Sequence, residues 1–282
     1  MLRVAAIQMA MQKDTESNSA RAERLVREAA VKGAKIILLP ELFESLYFCK
    51  DKDTKYFSWA KPLEAHPLIE RFAKLAKMLE VVLMVSYFER DNERYFNALV
   101  VVDADGTILE NYRKTHIPDG PGYEEKFYFE PGDTGFKVYD SRYGKIGAGI
   151  CWDQWFAESA RVMSLMGAEL LFYPTAIGSE PEINVDSKAH WQRVQQGHAA
   201  TNMVPLIAAN RYGKEIGESC TLEFYGSSFM TDHTGAIIAE ASRDKEEVLI
   251  AEYDLKAIQK LRDYWAMEGD RRPEMYTKVC ER

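Results

Sequence analysis

The chain has 282 residues, with 36 Lys and Arg against 44 Asp and Glu for a formal net charge of −8, and it is 46% apolar and 28% charged. This is the composition of an ordinary globular protein with enough chain to bury a core, so disorder finds no support. An acidic chain lacks the cationic surface that displaces counterions from a phosphate backbone, which excludes a general nucleic-acid binder.

Residues 2–9 lie in the opening MLRVAAIQMA, which has no cleavage site of a secretory signal, and read as the first core strand. Residues 18–32 place Ala22, Leu25, Val26, Ala29 and Ala30 on one helical stripe, with Gly33 as the stop. A strand at 36–39 ends in Pro40-Glu41. A helix at 67–79 leads into a strand at 81–88, which pairs across the polar turn 89–94 with a strand at 95–102. After the turn Asp103-Ala-Asp-Gly106 comes a short strand at 107–112. Residues 115–135, with four Gly and three Pro, form a long loop of the kind that tends to be functional. A strand at 145–150, a helix at 156–166, a strand at 169–173, a second long loop at 174–186 and a helix at 187–202 follow. Strands at 206–210, 225–230, 236–240 and 248–252 complete the sheet.

Short Val- and Ile-rich runs alternating with helical periods predict an α/β sandwich. No run approaches the roughly 18 apolar residues of a membrane helix. The chain reads as one domain over 1–260 and a charged, aromatic tail over 261–282.

Three residues stand where strands end. Cys151, in G-I-C-W-D, follows the glycine-bearing strand KIGAGI and precedes a helix, a position where free backbone N–H groups stabilise a thiolate and receive an oxyanion. A lone cysteine also packs as a small buried hydrophobe, so this segment by itself leaves both readings open. Glu41, in I-I-L-L-P-E-L-F, sits in apolar sequence that desolvates a carboxylate and makes it a usable base near neutral pH, the alternative being a solvated strand-end acid. Lys114, in N-Y-R-K-T-H-I-P, is placed to pair with a carboxylate or hold developing negative charge, although most lysines only solubilise.

None of His66, His116, His190, His198 and His233 has a setting that singles it out. His190 and His198 are eight residues apart, against the four of a helical metal pair, and a zinc site is not expected. Four scattered cysteines with no C-x-x-C pair suggest neither a zinc knuckle nor a disulfide framework and fit a reducing cytoplasm. Nucleotide-binding glycine loops and G-x-S-x-G are missing.

Taken in order, A-A-I-Q-M-A, L-L-P-E-L-F, Y-R-K-T-H-I-P, F-E-P-G-D-T-G-F and I-G-A-G-I-C-W-D resemble the nitrilase superfamily of carbon–nitrogen hydrolases over nearly the whole chain. The resemblance implies a four-layer αββα sandwich with Glu41 as general base, Lys114 as the cation stabilising a tetrahedral intermediate and Cys151 as nucleophile. A second glutamate that positions substrate corresponds best to Glu125, with Glu124 as the fallback. The same resemblance implies an oxyanion site from Lys114 and the Trp152 backbone N–H, no metal, no organic cofactor, and a homo-oligomer that uses the outer helices and the C-terminal segment as subunit contacts.

Relatives that act on N-carbamoyl amino acids carry an arginine shortly after the cysteine, because a guanidinium fork matches a carboxylate. Here C-W-D-Q-W-F-A-E-S-A-R offers Asp153 and no arginine before Arg161, so the pocket suits a cationic or neutral substrate. Glu180 in Y-P-T-A-I-G-S-E-P, with Tyr47 and Phe48 beside the base, suits an alkylammonium group, unless these acids merely solvate mobile loops. The expected partner is a small ureido-amine, with neither nucleic acid nor membrane. Another ureido or aliphatic amide hydrolase is the alternative within the class, and a binding or assembly protein of the same fold without turnover is the alternative outside it.

Overall fold

In a computed structural model, which describes every residue except Asn184 and Arg282, the elements follow in the order β1 (Leu2–Gln8), α1 (Thr15–Val31), β2 (Ile36–Leu38), α2 (Pro67–Leu79), β3 (Val82–Asp91), β4 (Arg94–Val102), β5 (Ile108–Arg113) and the single turn α3 (Glu125–Tyr128). The second half runs β6 (Val138–Ser141), β7 (Gly144–Ala148), α4 (Ala157–Leu165), β8 (Leu170–Thr175), α5 (Lys188–Asn202), β9 (Leu206–Asn210), β10 (Tyr212–Ile216), β11 (Thr221–Tyr225), β12 (Phe229–Thr231), β13 (Ile237–Glu240), β14 (Glu247–Tyr253) and α6 (Leu255–Trp265). Asn184, in the second predicted loop, and Arg282, in the tail, lie outside the described residues.

Two six-stranded sheets, β14-β1-β2-β3-β4-β5 and β6-β7-β8-β9-β12-β13, repeat one pattern of pairing: antiparallel, parallel, parallel, antiparallel, antiparallel. The two-residue alternation of a strand sends its side chains to opposite faces, and both faces are apolar here. Val4, Ala6, Leu38 and Met84 of the first sheet pack against Ile146, Ala148, Phe172 and Ile207 of the second. Ala5, Ile7, Leu83 and Val85 turn the other way, onto Leu25 and Val26 of α1 and Phe72 and Leu75 of α2. Leu171, Tyr173 and Leu206 likewise meet Met163 of α4 and Trp191 of α5. Helices, sheet, sheet and helices therefore form the four-layer αββα sandwich expected from the sequence. Among the described residues no helix is long and apolar enough to cross a membrane.

Several expectations are corrected. The strand predicted at 225–230 is broken, because Gly226 and Ser227 adopt φ of +54° and +56°, so β11 ends at Tyr225 and β12 begins at Phe229. A Cβ on Gly226 would meet the Gln8 side chain and the Arg243 carbonyl oxygen at 2.7 Å, a crowding that only glycine avoids. The hairpin turn is tighter than the predicted 89–94, with Asp91 opposite Arg94 and Asn92 at φ +57°. Helix α1 starts earlier, capped by Asp14, whose side chain accepts from the Ser17 N–H. The boundary drawn at 260/261 falls inside α6.

His66, ahead of α2, is buried with both ring nitrogens unpartnered among the described residues and packs T-shaped against Tyr87. Burial, helped by the Lys61 charge, lowers its pKa to about 4. A folded state that keeps this imidazole neutral loses stability as pH falls from the ordinary histidine value toward 4, because only the unfolded chain then takes the proton. Between pH 7 and 5 the wild type is expected to lose about 2 kcal/mol more than His66→Phe. Urea unfolding of both proteins at the two pH values measures it, and parallel losses would refute the assignment.

Candidate active site

The parallel strands at the centre of each sheet leave their carboxyl ends on the same side, the position where open α/β sheets bind ligands. Glu41 follows β2, Lys114 follows β5, Cys151 follows β7 and Arg211 follows β9. The first loop returns over Lys114 through Gly132, whose N–H donates to the Lys114 carbonyl at 2.8 Å. Any Cβ at Gly132 would sit 2.0 Å from the Arg113 carbonyl oxygen.

The Lys114 ammonium is wholly buried and bridges two carboxylates. It lies 2.9 Å from Glu41 Oε1, and 2.9 and 2.7 Å from Glu125 Oε1 and Oε2. Asn97 Nδ2 donates to the same Glu41 oxygen at 2.7 Å, and the Tyr47 hydroxyl donates to Glu125 Oε1 at 2.6 Å. Glu41 Oε2 is buried and has no partner among the described residues, which leaves one oxygen of that carboxylate available for a proton. Burial alone would draw Lys114 down, but Glu125 and Glu41 outweigh it and hold the ammonium well above the ordinary lysine range. Burial raises the Glu125 carboxyl, the Lys114 charge pulls it back, and Glu41 pushes it up again.

Cys151 is buried at 6% exposure in a left-handed conformation, φ +41°, which is costly for a residue with a Cβ and common where a reactive side chain must be presented. It opens a 3-10 turn, Cys151–Trp155, and α4 begins only at Ala157. The expected stabilisation of a resting thiolate at a helix start is therefore corrected. Burial and the Glu41 charge push the thiol well above its ordinary value, against a smaller opposing pull from Lys114. The thiol stays protonated at rest and needs a base to react.

Of the residues expected at substrate, some are engaged elsewhere. Asp153 is fully buried beneath the Cys151–Trp155 turn, where Oδ2 accepts from Tyr112 OH at 2.7 Å and the Ile150 N–H at 2.9 Å. Its Oδ1 meets the His116 N–H and ring Nδ1 at 3.0 and 2.8 Å. With both oxygens doubly engaged, Asp153 ties the Lys114 segment to the Cys151 turn and is not open to a substrate ammonium. Tyr47, expected as a pocket wall, is also fully buried and holds Glu125. Phe48 lies within an aromatic cluster with Phe88 and Tyr128. Trp152 is 38% exposed beside Trp155. Glu124, the fallback, is turned away and pairs with Lys52 at 2.8 Å. Arg161 donates to the Thr201 carbonyl on α5 at 3.1 Å.

Glu180 is the open acid. Burial raises its carboxyl, and among the described residues nothing pairs with it. The hydroxyls of the half-buried Tyr123 and the buried Tyr225 are both pushed up chiefly by burial, with smaller contributions from the charges of Glu180 and Cys151, so both rings lie within electrostatic reach of the acid and the thiol. Tyr123 also fixes the loop that carries Glu180, accepting from the Gly178 N–H at 3.1 Å and donating to the Ser179 carbonyl at 3.2 Å. Sequence reading missed Asn97, Tyr123, Tyr225 and Arg211. An amide inside the apolar strand Phe96–Val102 was a visible signal for Asn97 alone. Among the described residues no group of three or more His, Cys, Asp or Glu side chains is arranged to hold a metal ion.

A buried thiol, a carboxylate with one free oxygen and a doubly neutralised ammonium, set on a four-layer αββα sandwich, define a hydrolase of carbon–nitrogen bonds. The chain belongs to the carbon-nitrogen hydrolase family, whose model matches residues 3–263. It is 55% identical to an N-carbamoylputrescine amidase of Arabidopsis thaliana, over 97% of this chain and 93% of that protein. A citrullinase of Francisella tularensis is 51% identical over 100% and 99% of the two chains. The crystal structure of a carbon-nitrogen hydrolase from Helicobacter pylori G27 superposes with a TM-score of 0.93 at 37% identity, covering 100% of this chain and 99% of that one.

Proposed function

We propose that the protein hydrolyses N-carbamoylputrescine to putrescine, carbon dioxide and ammonia, a step of polyamine synthesis from agmatine. The observation that carries this reading is the 55% identity to an N-carbamoylputrescine amidase over 97% of the chain, and the Glu180 carboxylate, unpartnered among the described residues, agrees with it. A substrate with a ureido group at one end and an ammonium at the other matches a thiol and an acid at the two ends of one site.

In the proposed mechanism, Glu41 Oε2 takes the Cys151 proton as sulfur adds to the ureido carbon. The oxyanion that forms is held by the Lys114 ammonium and the Trp152 backbone N–H. Glu41 returns the proton to the terminal nitrogen, the carbon–nitrogen bond breaks, and ammonia leaves a thioester behind. Glu41 then deprotonates water, which attacks the thioester and restores the thiol. The carbamate so released breaks down to the amine and carbon dioxide. Glu125 keeps Lys114 aimed at the oxyanion and helps to place the substrate.

Ammonia release is expected to be strongly faster with N-carbamoylputrescine than with 3-ureidopropionate, whose carboxylate would meet Glu180. Citrulline, the substrate named for the Francisella relative, carries both an ammonium and a carboxylate and is expected to fall well below N-carbamoylputrescine. Glu180→Gln should raise KM for N-carbamoylputrescine about 10- to 100-fold, the equivalent of one lost charge-assisted hydrogen bond, while kcat stays within about threefold. An unchanged KM would remove Glu180 from the substrate site.

Two further readings belong to the same proposal. The exposed Tyr264, Trp265, Met275 and Val279 on α6 and the tail support a homo-oligomer in which this segment, 261–282, is a subunit contact. Sedimentation of the full chain should give a dimer or larger, and a monomer at micromolar concentration would contradict it. Free thiols at Cys49, Cys151, Cys220 and Cys280 support a cytoplasmic location.

A further inference from the structure

Behind the two site carboxylates lies a second buried ion pair that the mechanism above does not use. Arg211, fully buried at the end of β9, meets Glu215 of β10 at 2.8 Å, and Glu215 is 3% exposed. The same guanidinium donates to three carbonyls of the segment that carries the base: Glu41 at 2.7 Å, Leu42 at 3.2 Å and Ser45 at 3.3 Å. Leu42 is held there at φ +47°, a conformation that its side chain disfavours and that needs support from outside the segment. The other oxygen of Glu215 accepts from the Tyr47 N–H at 2.6 Å, and the Tyr47 hydroxyl in turn holds Glu125.

These contacts close into a ring. It runs from Arg211 through the Glu41 main chain and side chain to the Lys114 ammonium, on to Glu125 and Tyr47, and back through Glu215 to Arg211. Lys50, also buried, donates to the Tyr47 carbonyl at 3.0 Å from beside the ring. Three cations, Lys50, Lys114 and Arg211, thus stand against the three carboxylates Glu41, Glu125 and Glu215. A buried ion pair is seldom worth its desolvation as a stabiliser of the fold alone. Here the guanidinium also caps three otherwise converging carbonyl dipoles, and its planar fork reaches both the base segment and Glu215.

We propose that Arg211 and Glu215 are positioning residues for the reaction. They fix the backbones from which Glu41 and Tyr47 extend, and through them the two carboxylates that aim Lys114. Neither touches substrate, so their loss is expected in kcat rather than KM. The inference rests on the proposed roles of Glu41, Glu125 and Lys114, but not on the identity of the substrate.

The test compares wild type with Arg211→Lys, Glu215→Gln and Arg211→Ala, each judged per folded molecule from its circular dichroism and melting curve. Rates are taken with the best ureide or amide substrate of the wild type. Failure of the wild type on N-carbamoylputrescine alone therefore counts against the substrate reading and leaves the ratios intact. Arg211→Lys and Glu215→Gln are expected to lose about 10- to 100-fold in kcat with KM within about threefold, the scale of an ångström-size misplacement of reacting groups. Guanidinium ion at tens of millimolar should restore part of the lost kcat in Arg211→Ala, while urea and sodium chloride at the same concentration should not. The proposal is overturned if kcat per folded molecule stays within about twofold of wild type in Arg211→Lys and Glu215→Gln, or if all lost activity tracks lost folded protein.

Discussion

Cys151→Ala is expected to lower kcat by at least about 10⁴-fold while leaving the folded protein almost unchanged. The sulfur is small, and its recorded polar contact is a long one, 3.9 Å to the Ala176 carbonyl, so its removal should cost the fold no more than about 1 kcal/mol. Chemistry should suffer far more, because without the thiol there is no acyl intermediate and water must attack a resonance-stabilised ureide directly. Steady-state ammonia release and a urea melt on the same preparation separate the two effects. A fold-only binding protein would release no ammonia with or without the thiol.

Lys114→Met gives the opposite combination, with large losses in both activity and stability. Methionine matches the length of the lysine stem but leaves Glu41 and Glu125 buried with no cation between them. Breaking such a pair from one side costs about 3–5 kcal/mol. Removing a group that stabilises an oxyanion costs about 10²–10³ in kcat. The stability loss carries a signed pH dependence. In the variant the Glu125 carboxyl, already raised by burial, loses the Lys114 charge that pulls it back, so the folded protein favours its neutral form. The cost is then small below the ordinary glutamate range and grows as pH rises toward the raised value. Urea midpoints for variant and wild type at pH 5 and pH 8 should diverge with rising pH, and a constant gap would mean that Lys114 does not neutralise this pair.

The parts of the fold that the sequence made legible are those with strict periodicity. Both crossover helices of the first sheet, the hairpin β3–β4 and the central strands β7 to β9 carry apolar patterns whose period matches the element they form. What escaped is polar or short. Strand β11 alternates buried Leu222 and Phe224 with exposed Thr221 and Glu223, β10 buries only Glu215, each has just five residues, and their ladder forms a two-stranded ribbon outside both main sheets. Helix α3 is one turn inside a glycine-rich loop, held by the Glu124 N–H on the Cys49 carbonyl at 2.7 Å, a long-range contact with no local signal.

The site divides along the same line. Glu41, Lys114 and Cys151 each end a strand and could be named from their neighbours in the chain. Asp153 was misread because its residue type fits an ammonium equally well, and only the converging donors from Tyr112, Ile150 and His116 reveal that its oxygens are already taken. Arg211 and Glu215 were invisible for a related reason. Their partners are main-chain groups some 170 residues away, at Glu41 and Tyr47.

The central claim is that Cys151 carries the substrate's acyl group during turnover, and the most direct measurement is the mass of the cysteine-containing peptides after acid quench. Wild-type protein stopped while hydrolysing N-carbamoylputrescine should carry the substrate less ammonia on Cys151 and on no other residue, with a burst of ammonia ahead of putrescine. Label recovered on a different side chain, or undiminished turnover by Cys151→Ala, would contradict the account.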